Sequence, residues 1–124
     1  MTRSVIARSG ATKQSDLSKK RCKACEGGIP RLSREKALSL LKELKDWCLS
    51  ADENSISTER VMKDFIRAVR MIGRIAQIAE KENHHPDIHL TGYRRLKIVL
   101  STHAIGGLSE NDFILAAKID QLIK

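Results

Sequence analysis

Residues 61–87 read VMKDFIRAVRMIGRIAQIAEKENHHPD, and the reading of this stretch decides the fold. Phe65, Val69, Ile72, Ala76 and Ala79 recur at the spacing of one helix face, and Met62, Ile66, Met71, Ile75 and Ile78 widen that face. The spacing predicts a long helix from Val61 to about Glu82. Pro86 fixes the chain just after His84-His85 and blocks a helix there. The histidine pair is therefore expected at the helix end, where side chains can converge on a ligand. The apolar stripe is broader than one sheet contact needs. One side of helix 61–82 is expected to pack on a sheet, and the other on a second subunit of a homo-oligomer (dimer or tetramer). A third line, Lys63, Arg67, Arg70, Arg74 and Lys81, is basic and is expected to lie outward.

Downstream, Ile88 and Leu90 lead into Gly92, a predicted bend. Leu96, Ile98, Leu100 and Thr102 then alternate with Lys97, Val99, Ser101 and His103, a period of two that marks a strand with one buried face. His103 falls near the strand's end, on the face opposite Leu100 and Thr102. Gly106-Gly107 breaks the strand. Ser109 can cap a last helix, with Asp112 in its first turn near the positive end of the helix dipole. Phe113, Ala116, Ala117 and Leu122 supply its inner face. Upstream, Ser33 caps a helix from about Arg34 to Leu44, which Trp47 closes. Asp52-Glu53-Asn54 is read as a turn between two brief strands, roughly 47–51 and 55–60. The order helix, two strands, helix, two strands, helix predicts an α+β fold: a four-stranded antiparallel sheet with three helices packed on one face.

The 124-residue chain carries a formal net charge of +8. Within residues 1–23, seven basic side chains (Arg3, Arg8, Lys13, Lys19, Lys20, Arg21, Lys23) face only Asp16, so most of the excess belongs to this end. Residues 1–30 read as a basic, flexible N-terminal arm, either a plain tail or a remnant of an organelle transit segment, and 31–124 as one domain. Localisation is accordingly expected to be cytoplasmic, or organellar if the arm is a transit segment. No stretch is apolar for long enough to span a membrane. Nucleic acid is not an expected partner: aromatic side chains are too few for a base-stacking platform, and the basic helix face reads as solvated. Cys22-x-x-Cys25 offers half a zinc site or a redox pair. With no second such pair in the chain, two unmetallated cysteines in a linker is the plainer reading.

All four histidines fall within the window His84–His103. Imidazole is the side chain best suited to moving protons near neutral pH, and Glu80, Glu82 and Asp87 stand beside the pair. Any one of these histidines alone is better read as a capped polar group at a helix end. The pair together with His103 points to acid–base chemistry. His89 is expected to be a solvent-exposed strand residue, and the His85/His89 spacing suits a helical metal site that Pro86 rules against.

The text Glu80-x-x-x-His84-His85-Pro86-Asp87, then Tyr93, then Ser101-Thr102-His103-Ala104-Ile105-Gly106-Gly107-Leu108-Ser109-Glu110-Asn111-Asp112, resembles the pterin-4a-carbinolamine dehydratase family. The likeness runs from about Leu32 to the C-terminus. The resemblance implies a hydro-lyase that dehydrates 4a-hydroxytetrahydrobiopterin to the quinonoid dihydropterin in tetrahydrobiopterin recycling. The pterin is then the substrate and no cofactor or metal is implied. By position His84, His85 and His103 match the family's catalytic histidines. His84 and His103 are assigned most of the proton transfer, and His85 binding and orientation of the pterin. Glu80 is assigned to orient a histidine, Pro86 and Asp87 to shape the pocket wall, and Asp112 to structural support as a cap. Two positions depart from the family: Ile88 stands where many members have tryptophan, and Asn83 where some carry an acid. The rival implication is a non-enzymatic binding module on the same fold, since relatives of this kind serve as a Rubisco assembly factor or as a transcription coactivator and dimerisation cofactor.

Overall fold

The structure is a computed structural model that describes residues 17–22 and 30–123. Helix α1 spans Arg34–Leu41, capped by the Ser33 hydroxyl, which accepts from the Lys36 N–H. Strand β1 is Cys48–Leu49 and strand β2 is Ile56–Val61. Helix α2 spans Phe65–Glu82, strand β3 Asp87–Thr91, strand β4 Arg95–Leu100, and helix α3 Glu110–Ile123. The sheet order is β1-β2-β4-β3, antiparallel throughout, with Ile56 opposite Leu100 and Asp87 opposite Val99. This is the α+β architecture read from the chain.

The core lies between the helices and one face of the sheet. Ile56, Leu96, Ile98 and Leu100 meet Ala37, Leu40, Ile75, Phe113, Leu115 and Ile119, all buried. Burying each large side chain of this kind contributes about 1.5–3 kcal/mol. The other sheet face carries exposed Glu59, Lys97 and His89, aligned in one cross-strand row.

Several boundaries differ from the periodic reading. The long helix starts at Phe65 rather than Val61, because Asp64 caps it through the Arg67 N–H at 2.8 Å and Val61 stays in β2, paired with Arg95. Its buried line is Ala68, Ile75 and Ala79, so Phe65, Ile66 and Val69 are left facing out. The first helix stops at Leu41, short of Leu44. The first strand is only two residues long because Ser50 and Asp52 take the next backbone into a turn, with Ser50 Oγ accepting from the Asn54 and Ser55 N–H groups. His103 is not on a strand. β4 ends at Leu100, and His103–Ile105 form a single 3₁₀ turn.

Of residues 1–30, residues 17–22 and Pro30 are described, and 17–22 make contacts with the domain. Leu17 is 3% exposed within the core, the Cys22 N–H donates to Glu82 Oε1 at 2.8 Å, and Lys118 Nζ donates to the Ser18 carbonyl at 2.7 Å. Cys25 and the rest of the arm lie outside the described residues. Two residues beyond Lys118 on α3, Asp120 accepts from Trp47 Nε1, Arg60 Nη2 and the Lys45 N–H, tying the helix to the strands.

Candidate active site

The end of α2 sets up the site. Asn83 adopts a left-handed conformation at φ 53°, its N–H donates to the Glu80 carbonyl, and the His84 N–H donates to the Ala79 carbonyl. This is the double hydrogen bond of a Schellman ending. Asn is among the few residues that visit this region readily. The ending turns the chain through His84, His85 and Pro86 directly into β3. Because β3 pairs Asp87 with Val99, two further residues along each chain lead to His85 and Ser101. The histidine pair and the His103 turn thus come together at one end of the β3–β4 ladder.

Their environments differ. His84 is 5% exposed, and its Nε2–H donates to Asp112 Oδ1 at 2.7 Å. Asp112 is fully buried, and its Oδ2 accepts from the Thr102 hydroxyl at 2.8 Å and the Ser109 N–H at 3.0 Å. The Ser109–Asp112 exchange is a capping box with aspartate at the third helical position: Ser109 Oγ accepts from the Asn111 N–H while Asp112 reaches back to Ser109. Asp112 thus both supports the helix and holds a histidine. His85 is open to solvent, and its Nε2–H donates to Glu80 Oε2 at 2.6 Å. The geometry that links Glu80 to a histidine selects His85 across five positions, one helical turn plus the Asn83 reversal.

His103 is exposed on its 3₁₀ turn, immediately after buried Thr102. Thr102 pairs with Gly107, its N–H donating to the Gly107 carbonyl at 2.8 Å. A cavity of about 190 Å³ opens beside His103, lined also by Asn54, Ser101, Thr102, Gly106 and Gly107. Arg31 lies over Gly107, where a Cβ would stand 2.5 Å from its Nε, and its Nη2 donates to Asn54 Oδ1. A larger cavity, about 520 Å³, is lined by Val61, Thr91, Gly92, Tyr93, Arg94 and Arg95 and touches none of the histidines. Of the histidines, His103 lines the small cavity. Asp87 is exposed and Pro86 half-buried at the start of β3, while His89 is exposed on its outer face.

Three residues of this assembly carried no functional reading in the chain: Thr102, Ser109 as a link to Asp112, and Asn83 as the left-handed stop. The Ser109-x-x-Asp112 spacing was a visible capping signal. Nothing in the local sequence pointed Thr102 at Asp112. Cys22, half-buried, has its Sγ 3.6 Å from the Asn111 carbonyl. Among the described residues no three His, Cys, Asp or Glu side chains cluster closely enough to hold a metal ion.

Fold and geometry together define a small α+β domain with two imidazole–carboxylate pairs at one end of its sheet. The chain belongs to the pterin 4 alpha carbinolamine dehydratase family, whose profile matches residues 30–122. It is 44% identical over 110 residues to pterin-4-alpha-carbinolamine dehydratase 2, mitochondrial, of Arabidopsis thaliana, covering 86% of this chain and 59% of that one. It is 46% identical over 109 residues to a Nitrosomonas europaea protein provisionally named as the same dehydratase, covering 88% of this chain and 95% of that one. A solved transcriptional coactivator/pterin dehydratase from Brucella melitensis superposes with TM-score 0.73 at 28% identity, covering 77% of this chain and all of that one. A pterin dehydratase-like protein described as a RuBisCO assembly factor in the alpha-carboxysome shares the fold, with TM-score 0.53 at 19% identity over 63% of this chain and 89% of that one. The family is one of dehydratases, which are lyases. No helix among the described residues is long and apolar enough to cross a membrane.

Proposed function

We propose that this protein dehydrates 4a-hydroxytetrahydrobiopterin to quinonoid dihydropterin, by histidine acid–base catalysis and without a resident cofactor. The observation that carries the reading is the pairing of two adjacent imidazoles with two different carboxylates, His84 with Asp112 and His85 with Glu80, beside the turn that bears His103. In the reaction the C4a–O bond breaks and water leaves, so the departing hydroxyl takes up a proton. A ring nitrogen of the pterin gives one up. Two differently supported imidazoles and a third on the neighbouring turn suit these two transfers, each worth roughly 10²–10⁴-fold.

His103 and His84 are assigned the proton transfers. His103 reaches the cavity freely. His84 is oriented by Asp112, the arrangement of a base held by a third group. His85, steadied by Glu80, binds and orients the pterin, with Pro86 and Asp87 forming the wall. Solvent-exposed Val61, Phe65, Ile66, Val69 and Tyr93 make an apolar surface around the start of α2, which supports self-association through this helix.

The test is direct. The protein is mixed with chemically generated 4a-hydroxytetrahydropterin and the appearance of quinonoid dihydropterin is followed. Acceleration over buffer that disappears in the double variant His84→Ala, His103→Ala supports the assignment. Buffer-level rates with the unaltered protein reject the enzyme in favour of a non-enzymatic binding module on this fold.

A further inference from the structure

We propose that Thr102 and Ser109 are positioning residues for His84, acting through Asp112; the proposal rests on the dehydratase reading of the site. Neither touches the cavity chemistry through a titrating group, and both are buried, at 1% and 0% exposure. Their hydrogen bonds form one chain whose direction is forced. Asp112, as a carboxylate, only accepts, so Thr102 spends its single hydroxyl proton on Oδ2 at 2.8 Å. The 2.8 Å contact between the Thr102 and Ser109 hydroxyls must then have Ser109 as donor. Ser109 Oγ is left as acceptor for the Asn111 N–H at 3.2 Å. With the Ser109 N–H on Oδ2 and His84 Nε2–H on Oδ1, Asp112 receives three donors. With its Nε2–H on Asp112 Oδ1, the His84 ring is held in one orientation.

Thr102 has a second attachment that makes it more than a buried hydroxyl. It stands at the cap position of the 3₁₀ turn carrying His103, yet its side chain makes no capping bond there. A threonine at such a position ordinarily bonds its own turn. Here the hydroxyl is directed inward to Asp112, while the backbone of the same residue pairs with Gly107 at the far side of the turn. Thr102 therefore fixes His84 through its side chain and His103 through its backbone. The two proton-transfer groups are held in register by one residue.

The experiment compares Thr102→Val, Thr102→Ser and Ser109→Ala with the unaltered full chain, with folding checked by far-UV circular dichroism. Two readouts are used: kcat and KM for dehydration as functions of pH, and the ¹⁵N and ¹H resonances of the His84 ring. Thr102→Val is expected to lower kcat by about tenfold or more with little change in KM, as a misplaced catalytic group does. It should also displace the pH profile and broaden or move the His84 Nε2–H signal. Thr102→Ser should restore most of both, and Ser109→Ala should give a milder form of the same pattern. Equal losses in the serine and valine variants would mean that only packing matters, and would overturn the proposal. So would an unmoved His84 signal in Thr102→Val. The ring signals are read without substrate, so a protein with no dehydratase activity still reports on the chain, and the two claims fail separately.

Discussion

Asp120→Ala provides a quantitative test of how α3 is anchored. The Asp120 carboxylate is 6% exposed and accepts from Trp47 Nε1 at 2.9 Å, Arg60 Nη2 at 2.8 Å and the Lys45 N–H at 3.0 Å. Truncation leaves the buried indole N–H and the Lys45 N–H without that acceptor, at about 1–3 kcal/mol each. Breaking a buried ion pair outright costs about 3–5 kcal/mol. Arg60 does not lose everything, because its Nε still donates to Thr58 Oγ1 and its Nη2 to the Lys45 carbonyl. The net expectation is therefore a loss of about 3 kcal/mol, a large share of the roughly 5–15 kcal/mol by which a domain of this kind is stable. Asp120→Asn keeps an acceptor for the indole and should lose about half as much. Trp47 is the only tryptophan in the chain, so its fluorescence follows unfolding in urea directly. At a slope of about 1.5 kcal/mol per molar urea, the Asp120→Ala midpoint should fall by about 2 M with the slope unchanged. A loss below about 1 kcal/mol would refute the view that this carboxylate ties helix to sheet, because it would show the three donors finding water instead.

Other variants test the remaining parts. His85→Ala, which removes a group that binds and orients the pterin, should lower dehydration by about 10²-fold, while stability moves by less than about 0.5 kcal/mol, since the His85–Glu80 pair is largely solvent-exposed. A stability loss as large as that of Asp120→Ala would contradict the exposed geometry. Asn83→Val forces a β-branched residue into the left-handed turn and should destabilise by about 1–2 kcal/mol, whereas Asn83→Gly should not. Thermal unfolding of the two compares them. The Ser50 hydroxyl, then the Asn54 backbone N–H, hold the Asp52 carboxyl below its ordinary value of 3.8. Its folded value is depressed, so the contribution to the turn is present above 3.8 and vanishes as the pH falls through the folded value. NMR titration of Asp52 at or above the ordinary value would disprove it. Phe65→Glu together with Ile66→Glu should shift the solution mass towards the monomer in light scattering. An unchanged oligomer would place the interface elsewhere.

Much of this molecule was legible along the chain because the relevant physics is local. A period of two from Leu96 to Leu100, the stripe from Ile75 to Ala79 and the capping spacing of Ser109 and Asp112 depend on near neighbours alone. They fix the element order, and with it the layer of helices on an antiparallel sheet. The start of α2 lies later than the apolar spacing predicts, because that spacing does not distinguish Val61 in a strand from Val61 in a helix. The Asp64 cap and the pairing with Arg95 decided it. The buried side of α2 was likewise undecided by spacing. A face as broad as this one has two edges, and only the sheet selects Ala68, Ile75 and Ala79.

The site divides in the same way. Sequence alone marked Glu80, His84, His85 and His103 as a group, because their types and intervals are specific. Spacing carries no information on which of the two adjacent rings is buried. One ring is buried against Asp112, 28 positions away, and the other is open to water beside Glu80. That difference arises from contacts between distant parts of the chain, as does the turning of the Thr102 hydroxyl away from its own turn. Residue types and spacings set what chemistry was available; packing of α2 and α3 at one end of the sheet decided which group is shielded, which is exposed, and what each one touches, because burial and hydrogen bonding are properties of the assembled chain.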